Sequence, residues 1–137
     1  MPRIGRELSD RDYAALADFR HALRQFQAFS EERAAEQGLT PQQHQALLAI
    51  RGAAPAEAIV GYLADRLILK PHSATGLVDR LEAAGLVVRE PAAEDRRRAF
   101  LRLTERAHDV LASLSAAHRD EIRRMRPALE DILAHLG

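Results

Sequence analysis

Residues 59–104, IVGYLADRLILKPHSATGLVDRLEAAGLVVREPAAEDRRRAFLRLT, decide the fold. Val60, Leu63, Ala64 and Leu67 recur at steps of three and four, which predicts one apolar face of a short helix. Ile68-Leu69-Lys70 makes a turn, and Pro71, favoured at the first helical position, opens a second helix that reaches Ala84. Ala74, Leu77, Val78 and Leu81 face inward, and Gly85 ends the helix in a left-handed conformation. Leu86–Glu90 reads as a strand, and Pro91–Arg97 is polar and turn-rich. Arg98–Thr104 reads as a second strand with Ala99, Leu101 and Leu103 on one face and Phe100 and Arg102 on the other. Two short helices joined by a tight turn and followed at once by a hairpin make a winged helix-turn-helix.

Working outward, Thr40-Pro41-Gln42-Gln43 is a helix start, with Thr40 as cap, Pro41 at the first position and Gln43 closing a capping box. That helix runs to about Arg51 with Leu47, Leu48 and Ile50 inward, and Gly52 stops it. Residues 52–58 form a loop with a short extended piece around Glu57. Upstream, residues 9–37 read as one helix of about eight turns. Ser9 and Asp12 form its capping pair, Tyr13, Leu16, Phe19, Leu23, Phe26 and Phe29 its apolar stripe, and Gly38 its end. A helix that long suggests a packing partner beyond its own core, such as a second copy of the chain. Downstream, Thr104 caps a helix from Glu105 towards Met125. Pro127 is expected to break or restart it ahead of a short apolar-faced helix containing Leu129, Ile132, Leu133 and Leu136. The expected fold is mainly α with a small β-hairpin wing. It forms a single domain over 1–137, in which 9–37 and 105–137 flank the central region 39–104.

The chain has 137 residues, the length of one ordinary domain. It contains no cysteine, which excludes disulfides, thiolate nucleophiles and Cys-ligated zinc. The start of the sequence lacks the apolar segment of a signal peptide, and no run is long and apolar enough to span a membrane, so a cytoplasmic location is expected. There is no Gly-rich phosphate loop and no Ser-His-Asp cluster with local spacing, so an enzyme is not expected. Of the six histidines, only His108 and His118 are expected to share a helix, ten residues apart. That is too far to chelate one ion, and no metal site is expected.

Twenty basic and twenty acidic residues give a formal net charge of zero, which by itself argues against a nucleic-acid binder. The distribution says otherwise. Residues 59–104 hold eight basic side chains against six acidic ones, and Arg96-Arg97-Arg98 at the hairpin tip is the densest basic run. Three adjacent like charges are most easily tolerated beside an anion, and phosphate is the obvious one. On the second short helix, His72, Ser73 and Thr75 crowd the amino end, where small hydrogen-bonding groups meet phosphates or base edges. Gly76 lies on the exposed side with Arg80, where a missing side chain admits close approach of a partner.

These pieces together resemble the MarR family of bacterial transcriptional regulators. The resemblance is carried by Leu39-Thr40-Pro41-Gln42, by Val60–Leu67, by His72–Val87, by Asp95-Arg96-Arg97 at the wing tip and by Leu103-Thr104 at the end of the second strand. It implies a homodimer built by the terminal helices, a recognition helix (71–84) in the major groove of double-stranded DNA, and a wing in the adjacent minor groove. On it, His72, Ser73, Thr75, Gly76 and Arg80 are the recognition-helix candidates. Asp95, Arg96, Arg97 and Arg98 are the wing candidates, with Arg97 entering the groove and Asp95 holding it. It further implies a pseudo-palindromic site, and a small, commonly aromatic or phenolic, effector that weakens DNA binding. No cofactor is implied. Tyr13, Phe19, Leu23, His44, Leu47 and Tyr62 are plausible pocket-lining residues. Ile59, Tyr62, Gly76 and Ala107 depart from the family pattern, which more often has Thr or Ser, Glu, Arg and Gly there. The alternatives to a ligand-relieved repressor are a winged helix used only for protein contact and a metal-responsive regulator.

Overall fold

The computed structural model describes residues 7–94 and 98–136. Its elements are α1 (Asp10–Glu36), α2 (Pro41–Gly52), α3 (Val60–Leu67), α4 (Pro71–Ala83), β1 (Val87–Pro91), β2 (Ala99–Leu103) and α5 (Glu105–Leu136). The chain divides into two compact units. One is Arg33–Ser115, and the other takes in the chain up to Glu32 and from Ala116 on.

In the Arg33–Ser115 unit the core is the set of residues that the helical and strand periodicities turn inward. Leu47, Leu63, Leu77, Val78, Leu81, Leu86, Val87 and Leu101 are fully buried, and Ala34, Leu39, Ala46, Ile50, Ala107, Leu111 and Leu114 pack with them. The start of α2 is the expected capping box. The Gln43 N–H donates to Thr40 Oγ1 at 3.1 Å and the Thr40 N–H to Gln43 Oε1 at 2.9 Å. Leu48 is not inward: it is 44% exposed, because it stands about 100° round the helix from Leu47 and past the buried face of His44, Ala46, Leu47 and Ile50. The extended piece before α3 reduces to one ladder bond, from the Leu101 N–H to the Ala58 carbonyl at 2.6 Å.

β1 and β2 pair antiparallel with Val87 opposite Leu103 and Pro91 opposite Ala99. β1 begins one residue later than the sequence suggests, because the Leu86 N–H is taken by the Leu81 carbonyl at 3.0 Å and closes α4. Gly85, at φ +74°, makes that closure, and the surrounding contacts pin it. Arg106 Nη1 donates to the Ala84 carbonyl at 2.9 Å, and Thr104 Oγ1 donates to the Gly85 carbonyl at 2.7 Å. Thr104 Oγ1 also accepts the Ala107 N–H at 3.3 Å, so one hydroxyl caps α5 and ties it to the end of α4.

In the other unit, His118 of α5 lies edge-on to Phe26 and Phe29 of α1, with ring centroids 6.0 and 5.8 Å away. Its Nε2 meets the hydroxyl of buried Ser30 at 2.8 Å. Ser9 and Asp12 cap α1 reciprocally, as their spacing predicts. Tyr13, Leu23, Ile122, Leu129, Leu133 and Leu136 are left exposed, with Leu133 at 67%. Pro127 does not break α5, which runs unbroken through it. Proline removes one ladder donor, but strong helix formers flank it (Met125, Arg126, Ala128, Leu129). The Arg126–Glu130 pair at 2.7 Å spans the gap. His135 therefore shares α5 with His108 and His118, contrary to the two-helix expectation.

Candidate nucleic-acid interface

The exposed side of α4 has two flanks set by the 3.6-residue turn. Thr75, Asp79 and Glu82 line one; Ser73, Gly76 and Arg80 line the other, with His72 between them at the amino end. The first flank is partly neutralised from the hairpin. Arg89, on β1, donates through Nη2 to Asp79 and through Nη1 to Glu82, both at 2.8 Å. Thr75 is turned inward to the backbone, its hydroxyl donating to the Pro71 carbonyl at 3.1 Å.

The second flank carries positive charge without a counter-ion. Arg80 and Lys70, and beyond them Arg66 and Arg98, pair with no carboxylate among the described residues. Arg66 instead lies over the Tyr62 ring, 5.8 Å from its centroid. His72 and Ser73 are exposed. Gly76 does not stand open: a Cβ built there would lie 3.5 Å from Arg80 Nη1, so the guanidinium lies over the glycine.

The structure thus brings His72, Ser73, Gly76 and Arg80 onto one surface. Thr75 lies at the edge of the opposite flank. Of the wing candidates, Asp95, Arg96 and Arg97 fall outside the described residues. Arg98 is exposed, and its carbonyl accepts the Ala92 N–H at 3.0 Å beside the tip. Arg102 pairs with Glu90 at 3.2 Å and donates to the Pro55 carbonyl at 2.8 Å, so it holds the hairpin rather than facing a partner.

Sequence reasoning missed Arg89. The available signal was an acidic pair three residues apart on an exposed helix face, followed by an arginine on the next strand. It placed Ile68 in the turn before α4 but not in a left-handed conformation: the residue is 92% exposed at φ +55° and ψ +52°. Ile59 stands at the amino end of α3 and supplies no side-chain cap there, as its apolar side chain requires. Among the described residues no helix is long and apolar enough to cross a membrane, and no cluster of three or more His, Asp or Glu could hold a metal ion.

Comparison with known proteins places this surface in context. A model of the MarR family matches residues 37–98, which span α2, α3, α4 and β1 and stop short of β2. The transcriptional regulator FarR of Neisseria gonorrhoeae is 38% identical over 66 residues, 48% of this chain. That match spans 42% of the FarR length. The crystal structure of transcriptional regulator Tm0710 from Thermotoga maritima is 30% identical, covers 86% of this chain and 77% of its own, and superposes with a TM-score of 0.60. Sco3205, a MarR family regulator from Streptomyces coelicolor solved in complex with DNA, is 19% identical with a TM-score of 0.71. It covers 96% of this chain and 89% of its own, a likeness of fold.

Proposed function

The chain belongs to the MarR family of transcriptional regulators, and on that premise we propose that it is a sequence-specific duplex-DNA binder. It acts as a homodimeric repressor relieved by a small-molecule ligand. The observation that carries the DNA reading is the charge arrangement on α4. The acids of the helix are bound by Arg89, while Arg80 and Lys70 have no counter-ion among the described residues and stand beside exposed His72 and Ser73. A phosphate backbone is the partner that such a surface suits, and bound duplex on the same fold in Sco3205 supports it.

The dimer reading is supported by the exposed apolar side chains of the terminal helices. Ile122, Leu129, Leu133 and Leu136 recur at steps of seven, four and three along α5, and Tyr13 and Leu23 are exposed on α1. Effector relief is supported by a half-open groove of about 440 Å³ in the Arg33–Ser115 unit. Leu48, Arg51, His108, Asp109 and Leu111 line it, none of them among the six pocket-lining residues expected from the sequence, and its volume suits a small molecule, of which an aromatic or phenolic compound is the proposed class.

Selection of bound sequences from random duplex DNA tests the reading. A two-fold dimer should recover a pseudo-palindrome with half-sites about one turn apart. Arg97→Ala should weaken binding to it and reduce the salt slope by about one. Recovery of no common sequence, or unchanged affinity and slope for Arg97→Ala, sinks the reading.

A further inference from the structure

Gly76 is an odd choice for the middle of a helix, since it forfeits helix propensity without making a turn. The structure shows what its bareness does. Helical side chains lean towards the amino end, so a guanidinium launched from position 80 lies one turn earlier, at the level of residue 76. Arg80 Nη1 is 3.5 Å from the place of a Cβ at 76. Alanine is accommodated at that distance. A longer side chain would enter the space the guanidinium holds.

Arg80 is also kept from the acids beside it. Asp79 is adjacent in sequence and Glu82 two residues on, yet both carboxylates are bound to Arg89 on the opposite flank. Arg80 therefore lies against bare helix backbone with its donors unspent among the described residues, beside exposed Ser73. The planar fork of donors on a guanidinium matches the paired O6 and N7 acceptors of guanine in the major groove.

We propose that Gly76 and Arg80 form one specificity element: the glycine seats the guanidinium, and the seated guanidinium reads a guanine in each half-site. This rests on the DNA-binding reading above and adds to it which residues discriminate and which base they read. The glycine is a positioning residue, and the arginine makes the contact.

The test uses the full-length protein and duplexes recovered by selection, with each base of the half-site replaced in turn. For the wild type, replacing one guanine should cost about five- to 150-fold in affinity. Arg80→Ala should abolish that discrimination and still bind scrambled duplex with a steep salt dependence. Arg80→Lys should retain binding yet lose most of the discrimination, because an ammonium makes no bidentate contact. Gly76→Met, a better helix former, should fold at least as well and lose the same discrimination with Arg80 still present. Gly76→Ala should keep it. The double variant Gly76→Met with Arg80→Ala should discriminate no worse than either single one.

Full guanine discrimination in Arg80→Ala, or in Gly76→Met, overturns the proposal while leaving DNA binding intact. A wild type that binds no duplex selectively overturns the DNA-binding reading and this inference with it.

Discussion

Replacing Arg89 by methionine should weaken DNA binding through the two carboxylates it holds. Arg89 bridges Asp79 and Glu82 at 2.8 Å each, so the three groups together carry one negative charge on that flank of α4. Arg89→Met keeps most of the side-chain volume and leaves two negative charges there. A unit charge about 8 Å from a phosphate is worth roughly 0.5 kcal/mol in water, and one Debye length of salt screening cuts this to about 0.2. With two or three phosphates in reach, the added repulsion is about 0.5 kcal/mol per protomer. A two-fold dimer doubles it to about 1 kcal/mol, a roughly fivefold loss of affinity.

The stability change is separable. The carboxylates are about half exposed, and such pairs contribute about 0.2–1 kcal/mol each. The assay is fluorescence anisotropy on a labelled duplex at two salt concentrations, with the loss larger at the lower one. Adding Asp79→Asn and Glu82→Gln to Arg89→Met makes the flank neutral and should restore wild-type affinity or better. Wild-type affinity for Arg89→Met refutes the charge argument. A triple variant that stays weak refutes it too, and assigns the loss to the missing tether between hairpin and helix.

Thr104→Val removes a helix cap and the bond to the Gly85 carbonyl. It should cost about 2 kcal/mol and lower Tm by about 5–10 °C in a thermal scan at fixed protein concentration. Ile68→Gly relieves a left-handed β-branched residue whose side chain is almost wholly in solvent. The relief of about 1–2 kcal/mol exceeds the entropy that glycine adds to the unfolded chain, so the variant should melt slightly higher; a lower Tm contradicts the strain argument. Leu129→Glu with Leu133→Glu places charge in the exposed stripe of α5. Sedimentation should then show a monomer, and a persistent dimer would move the interface elsewhere.

Local chemistry is what the sequence displays. The Thr40–Gln43 box, the Ser9–Asp12 pair and Gly85 at the end of α4 each depend on residues within a few positions of one another, and each forms. The core faces of α3 and α4 follow from periodicity alone. What escaped depends on sums or on distance. Pro127 is locally a breaker, but a single lost donor does not outweigh thirty-one other helical positions and a spanning ion pair. Leu48 is as apolar as Leu47, and only the direction of the rest of the core tells them apart. Arg89 reaches back seven and ten residues to its carboxylates, which requires knowing how the hairpin folds against α4. At the site, helical spacing put Gly76 and Arg80 on one exposed side; that the guanidinium lies over the glycine is visible only in the structure.

The most direct test is the ratio of two dissociation constants, measured side by side near physiological salt. One is for the duplex recovered by selection, and the other is for the same duplex with its half-sites scrambled. A sequence-reading α4 predicts a ratio of about a thousandfold or more. A ratio near one would mean that the exposed cations of α4 and the hairpin hold phosphate alone, contradicting sequence-specific recognition.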